Sequence, residues 1–128
     1  MKRLWTIAAA AAALAAAGCA GENHAEKLAD QVTRAIVAND MRPVESEFNA
    51  LVRPKLMERE RVGRLSDQLA PLGSFKRTKE NTAAGSPAGA HQFVAEFERG
   101  TRIEDMTLDS DGKIAAFHIH SANESSAR

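Results

Sequence analysis

The sequence predicts an α+β domain in which N-terminal helices pack on one face of a curved antiparallel sheet of about four strands. Apolar residues recur at helical spacing over residues 24–69, and they alternate every second residue over much of 75–120. Turn-forming residues separate these segments. Because helical patterns come first and strands follow, the two layers are segregated. A chain of 128 residues has room for one such domain.

Residues 1–18 have the pattern of a secretory signal peptide. Lys2 and Arg3 form a positive start, and an uninterrupted apolar stretch of eleven residues follows over 7–17. About twenty apolar residues are needed to span a bilayer as a helix, so the stretch is too short for an ordinary membrane anchor. The segment therefore predicts an export signal.

The signal ends in Ala16-Ala17-Gly18-Cys19, which resembles a bacterial lipobox. The resemblance implies that Cys19 receives a diacylglycerol and a palmitate-type acyl chain, with cleavage after Gly18. The usual Leu three positions before the cysteine is replaced by Ala16. The alternative is an ordinary signal peptide cut after Ala17, which would leave Cys19 as a free thiol. The residue after the cysteine is Ala20 rather than Asp. By resemblance to bacterial lipoprotein sorting signals, this implies the periplasmic face of the outer membrane.

The composition of the remaining chain excludes several classes of function. When Lys2 and Arg3 are removed with the signal, 15 of the 17 basic residues remain, and the acidic residues number 17. This balance does not indicate a basic nucleic-acid-binding protein. One cysteine cannot form an internal disulfide or a cysteine-based zinc site. The sequence contains no G-x-S-x-G motif and no phosphate-binding glycine loop, and no cofactor is predicted.

Three helical segments are predicted after a short tether over 19–23. Asn23 to Glu26 resembles a capping box at the start of the first helix, and Asn39-Asp40 ends it. Pro43 begins a second helix, which Pro54 interrupts. The third helix ends before Pro71-Leu72-Gly73. The stripes expected to face the core are Ala25, Leu28, Ala29, Val32 and Ile36, then Val44, Phe48, Leu51 and Val52, then Met57, Val62, Leu65 and Leu69.

Four strands are predicted over 74–81, 91–99, 101–110 and 113–120. The breaker-rich segment 82–90 is interpreted as a flexible hairpin loop. In the third strand, Ile103 falls out of phase with Met106 and Leu108, so a β-bulge is expected near Glu104-Asp105. The domain is expected to span 24–120, followed by a disordered tail over 121–128.

The pattern of turns and faces resembles the nuclear-transport-factor-two-like superfamily, also called cystatin-like or SnoaL-like. The residues that carry the resemblance are Asn39-Asp40, Phe48, Leu72 to Phe75, Phe93 to Gly100 and Leu108 to Ile114. The chain is most similar to a bacterial domain family of unknown function found in secreted proteins. The resemblance implies a cone-shaped fold and pairing of two copies through the open sheet face. It implies no catalytic residues.

The candidate functional residues are few. Five phenylalanines are interpreted as core, with lining of a small apolar pocket as the alternative: Phe48, Phe75, Phe93, Phe97 and Phe117. Asp30 and Asp105 are the acids to examine for catalysis, although the chain has no Tyr to supply a phenolic oxyanion donor. His118 and His120 share one strand face and are a weak candidate for a metal site that would need further ligands.

The function predicted from these features is a lipid-anchored envelope protein with a small non-enzymatic binding or interaction domain. Its partners would be the membrane through the anchor, and an envelope protein, a small apolar ligand or a second copy of the chain. One alternative is a carrier that holds an apolar molecule in the cone cavity. The other is an isomerase-like or dehydratase-like enzyme with an Asp or His base. A filled interior would favour the interaction domain, whereas a hollow one would favour the carrier.

Overall fold

The computed structural model describes residues 24–81 and 88–121. These residues form α1 (His24–Val37), a 3₁₀ helix (Arg42–Glu47), α2 (Arg53–Leu56), α3 (Arg59–Leu69), a second 3₁₀ helix (Ala70–Leu72), β1 (Phe75–Glu80), β2 (Ala90–Phe97), β3 (Gly100–Leu108) and β4 (Ile114–His120). The predicted signal peptide, the tether and residues 122–128 of the predicted tail lie outside the described residues, as does 82–87 of the predicted loop.

The four strands form one antiparallel sheet in the order β1-β2-β3-β4. The predicted fold class, helices followed by a four-stranded antiparallel sheet, is therefore confirmed. Each predicted strand begins and ends within two residues of the corresponding observed strand. Because consecutive strands pair as neighbours, the turns β1–β2 and β3–β4 lie at one end of the sheet and β2–β3 at the other.

α1 is amphipathic, and its apolar stripe lies on the sheet. All five residues predicted to face inward are buried, and the helix packs on β1 and β2 and also on α3 and the first 3₁₀ helix. Asn39 ends it with a left-handed backbone (φ 57°), which lets Asp40 N donate to Ala35 O at 2.9 Å. At the other end, Oε2 of Glu26 accepts a hydrogen bond from Glu80 N at 2.8 Å, so the helix begins beside the end of β1.

The segment after α1 differs from the predicted second helix. A 3₁₀ helix begins beside Pro43, and the chain then extends at Phe48, which forms a parallel bridge with Ile114 of β4. Val44 and Phe48 are buried as predicted, but Leu51 is 89% exposed, so its place in the core stripe was wrong. The side chain of Asn49 explains this, because its Oδ1 accepts from Leu51 N and Val52 N and so forms a turn where a helix was expected.

The bulge predicted near Glu104-Asp105 is also wrong. The register between β2 and β3 is unbroken from Ala90↔Thr107 to Phe97↔Gly100. The irregularities lie between Phe75 and Arg77 in β1 and between Thr107 and Leu108 in β3. The regular register turns Glu104 and Met106 towards the helices and leaves Ile103 on the opposite face. A glutamate therefore occupies a core position.

Candidate functional sites: a buried acid and a polar row across the sheet

Glu104 is fully buried between the sheet and α1. Its neighbours across the strands are Phe93 on β2 and Ile119 on β4, and both are apolar. Its carboxyl oxygen Oε2 is hydrogen-bonded to the hydroxyl of Thr33 on α1. In the part of the chain that the structure describes, the other carboxyl oxygen, Oε1, has no hydrogen-bond partner. Charge on this group would therefore be poorly compensated.

The pKa of Glu104 is raised from 4.5 to about 8, because the effect of burial, with a smaller contribution from the negative charge of Asp30, outweighs the lowering effect of the Thr33 hydrogen bond. The hydrogen-bond geometry agrees with a neutral acid. Thr33 Oγ1 also lies 2.8 Å from Ala29 O, and its single proton can serve only one of the two contacts. A protonated Glu104 satisfies both, since it donates to Thr33 while Thr33 donates to Ala29.

The space around this acid is filled. A cavity of about 10 Å³ lies on the helical side of the core, and Ile36, Phe48, Val62, Leu65 and Phe117 are among the residues that line it. That volume is close to the minimum for one water molecule. Glu104 is not among the lining residues. Because Glu104 is fully buried, solvent and substrates do not reach its carboxyl group in this structure.

The five phenylalanines lie on the core side of the fold. Phe48, Phe93, Phe97 and Phe117 are buried, and Phe75 is partly buried against them. The ring centroids of Phe75 and Phe97 are 5.3 Å apart, and the guanidinium carbon of Arg34 lies 4.8 Å from the Phe75 centroid. Phe48 and Phe117 contact the small cavity. These contacts place the aromatic set in ordinary core packing.

A second cluster lies on the sheet face that the helices leave uncovered. Asn81 Nδ2 donates to Gln92 Oε1 at 3.0 Å, and Gln92 Nε2 donates to Asp105 Oδ1 at 3.1 Å. The other oxygen of Asp105 lies 2.8 Å from His120 Nε2. These four residues, called here the outer polar row, connect side chains from all four strands or their ends. His120 Nδ1 lies 3.0 Å from Ser121 O, which fixes the imidazole from its other side.

The outer polar row lies next to apolar and charged pairs. Val94 and Ile103 are register partners on the same face, and both are partly exposed. Arg77 Nε is 3.0 Å from Glu96 Oε1 on the far side of that pair. The uncovered face thus combines one apolar patch with polar groups held in fixed positions, a combination found in protein interfaces.

The acids and histidines singled out from the sequence are separated by the fold. On α1, Arg34 Nε donates a hydrogen bond to Asp30 Oδ1 at 2.7 Å, whereas Asp105 belongs to the outer polar row on the sheet. His118 and His120 share the uncovered face, as their spacing indicates, and His118 is exposed. Within residues 24–81 and 88–121, no three His, Cys, Asp or Glu side chains are grouped so that they could hold a metal ion. Cys19 and Gly18 lie outside the described residues.

Sequence reasoning missed Glu104 and the outer polar row. The alternation in β3 places Glu104 in phase with Met106, which would put both on the core face. Because core positions are expected to be apolar, the sequence favoured a β-bulge there instead of a buried glutamate. The outer polar row depends on strand register, which residue spacing alone does not give.

Surface grooves outside the core are open to solvent, and one of about 310 Å³ between α1 and Pro43 has a mainly apolar lining. One groove of about 760 Å³ lies between the Asn39–Arg42 corner and the start of α3. In this groove Arg42 Nε and Nη2 each lie 2.9 Å from a carboxylate oxygen of Asp40. This pairing lowers the pKa of Asp40 to about 2. An open groove with paired charges does not resemble the enclosed, mostly apolar sites that hold small molecules.

Comparisons of the chain with protein-family models, with curated proteins and with solved structures find no match. None of the helices in the described part of the chain has the length and apolar character needed to cross a bilayer.

Proposed function

We propose that the chain is an envelope-anchored lipoprotein whose small α+β domain binds another molecule through the uncovered face of its sheet, without catalysing a reaction. The observation that carries this proposal is the contrast between the two sheet faces. The covered face is packed to a residual cavity of about 10 Å³, whereas the uncovered face holds the outer polar row beside Val94 and Ile103. A rigid, partly apolar face supports binding of a macromolecule.

The proposed address depends on the first nineteen residues. The short apolar stretch and the lipobox-like Ala16-Ala17-Gly18-Cys19 support acylation of Cys19, and two or more acyl chains give a stable membrane anchor. Ala20 supports the periplasmic face of the outer membrane. The order of helices and strands supports membership of the nuclear-transport-factor-two-like superfamily, whose open sheet face makes a second copy of the chain one of the partners to test.

The carrier alternative has less support. An apolar ligand of ordinary size needs a pocket of roughly 300 Å³ or more that encloses most of its surface. The cavity in the described core is about 10 Å³, and the larger grooves are open to solvent. Extraction of the purified protein with organic solvent, followed by mass spectrometry, tests this alternative: stoichiometric release of an apolar molecule would favour it over the interaction domain.

Glu104 supports an enzyme as the second candidate, because a carboxylic acid with a raised pKa is a common general acid. It would need α1 to move away from the sheet, since the carboxyl group is fully buried under Thr33. The structural reading of Glu104, a neutral acid that joins α1 to β3, requires no such movement and is preferred.

Affinity purification of the lipidated protein from solubilised envelopes tests the proposed function. The proteins retained by the unaltered chain are compared with those retained by Ile103→Arg, which places a charge on the uncovered face. The matched control is Gln31→Arg, on the exposed side of α1. We expect partners to be lost with Ile103→Arg only. Retention of the same proteins by both variants would refute binding through this face.

A further inference from the structure

Leu51 is the most exposed large hydrophobic side chain in the described part of the chain. It is 89% exposed, whereas Val37, the next, is 38% exposed. A single exposed leucine is common on protein surfaces and by itself indicates nothing. Its surroundings and its position relative to the proposed anchor distinguish this one.

The turn that carries Leu51 is fixed by Asn49. Asn49 Oδ1 accepts from Leu51 N at 3.0 Å and from Val52 N at 3.2 Å, and its backbone carbonyl accepts from Arg53 N at 3.1 Å. The same residue is held to the sheet, because Asn49 N donates to Ile114 O at 2.9 Å and Nδ2 donates to Asp109 Oδ2 at 3.1 Å. Leu51 is thus presented at a defined place on the β3–β4 end of the fold.

Asp109 in turn organises the β3–β4 turn. Its Oδ1 accepts from Asp111 N and from Lys113 N, each at 2.9 Å. The Lys113 ammonium donates to Ser46 O at 2.8 Å, which closes the same junction from the other side. The loop before α2 and the turn between β3 and β4 therefore form one connected corner, with Leu51 pointing into solvent.

The start of α1 lies at the same end of the sheet as this corner. The carboxylate of Glu26 accepts a hydrogen bond from the backbone of Glu80, the last residue of β1. The end of β1 and the β3–β4 turn lie at the same end of the antiparallel sheet. Cys19 precedes His24 by five residues, which span at most about 18 Å when extended. If Cys19 is acylated, the start of α1 stays close to the bilayer surface, and the Leu51 corner, at the same end of the sheet but towards its β4 edge, is within reach of that surface when this end of the domain faces it.

We infer that Leu51 is a membrane contact: its side chain enters the surface of the bilayer that holds the Cys19 anchor, and so orients the domain. The inference depends on the proposed lipid anchor. The charged groups around the corner have mixed sign, with Lys55 exposed four residues after Leu51 and Asp111 exposed on the turn, so the apolar side chain supplies the attraction. The opposite end of the sheet, with the β2–β3 turn, then points away from the membrane.

Tryptophan fluorescence tests this contact in the lipidated protein. The one Trp of the sequence, Trp5, is removed with the signal segment when the chain is cleaved after Gly18, and a Trp5→Phe background carrying Leu51→Trp also keeps position 51 the single reporter in any uncleaved molecules. The matched control is Val37→Trp in the same background, at the far end of α1. Both proteins are reconstituted into vesicles of phosphatidylethanolamine and phosphatidylglycerol, with or without brominated acyl chains, and floated on a density gradient.

We expect both proteins to float. Relative to the same protein without vesicles, the emission from position 51 should be blue-shifted, and brominated chains should quench it. The emission from position 37 should be neither shifted nor quenched. Floating proteins with the same water-exposed emission at both positions would overturn the Leu51 contact and leave the anchor intact. Equal quenching at both positions would also overturn it, because the contact would not be specific to this corner. Failure of both proteins to float would refute the anchor together with the contact.

Discussion

The carboxyl group of Glu104 on β3 is hydrogen-bonded to the hydroxyl group of Thr33 on α1, inside the core and 71 residues apart in the sequence. The contact joins the first helix to the centre of the sheet, and the Thr33 hydroxyl group can satisfy both Glu104 and Ala29 O only while Glu104 keeps its proton. The raised pKa of this buried carboxyl group makes the free energy of unfolding depend on pH, and substitution of Glu104 tests that dependence.

The first prediction concerns Glu104 and pH. Its pKa is raised from 4.5 to about 8 by burial, so between these values the folded chain keeps a proton that the unfolded chain has released. The free energy of unfolding should therefore fall as the pH rises through this window, by up to about 1.4 kcal/mol per pH unit from this group. Glu104→Gln should remove that fall, as measured by urea unfolding at several pH values.

The control for this prediction is Glu58→Gln, at an exposed glutamate in the loop before α3. It should keep the pH dependence of the unaltered protein. If Glu104→Gln keeps the same pH dependence as well, Glu104 does not titrate in the folded chain as its burial requires.

The second prediction concerns Thr33. Thr33→Val keeps the shape of the side chain but leaves Glu104 without its hydrogen-bond partner. We expect a loss of about 1–3 kcal/mol in the free energy of unfolding. The pKa of Glu104 should rise further, because the Thr33 contact lowers it. Thr33→Ser, which keeps the hydroxyl group, should leave that pKa nearly unchanged. A Val variant as stable as the Ser variant would show that the contact contributes nothing.

The third prediction compares two apolar residues that the sequence placed in one stripe. Phe48 is fully buried and Leu51 is exposed. Phe48→Ala should lower the free energy of unfolding by about 3–5 kcal/mol. Leu51→Ala should change it by less than about 0.5 kcal/mol. Chemical denaturation of both variants distinguishes them, and a large loss at Leu51 would mean that its side chain packs into the core.

The fourth prediction concerns the corner after α1. The hydrogen bonds from the Arg42 side chain and backbone hold the pKa of Asp40 at about 2, below the ordinary 3.8. In Arg42→Gln we expect the pKa to rise towards the ordinary value, as followed by the carboxyl carbon shift in an NMR titration. Added salt should move the pKa in the same direction, since the pair is exposed. An unchanged titration in the variant would contradict the pairing.

Much of the fold could be predicted from the sequence because the alternation in β2 is clean. Phe93, Ala95 and Phe97 are inside as their spacing indicates, and the Asn39 ending of α1 follows from its tolerance of a left-handed backbone. Leu51 was misplaced because helical spacing carries no information about the Asn49 side chain, which bonds the following backbone groups and replaces the helix with a turn.

The candidate sites could be predicted only in part. His118 and His120 share a face because they are two apart on a strand, and this needed no structure. Their neighbour Asp105 belongs with them only through the pairing of β3 with β4. Glu104 could not be recognised from β3 alone, because the partner that makes a buried acid tolerable, Thr33, comes from the first helix.

Photo-crosslinking in intact cells tests the central claim most directly. A photoreactive amino acid replaces Ile103 on the uncovered sheet face or, as the control, Gln31 on the exposed side of α1. The account predicts a discrete crosslinked product from position 103 and none from position 31, and a product of twice the chain's mass would identify the partner as a second copy. No product from position 103, or the same product from both positions, would contradict binding through this face.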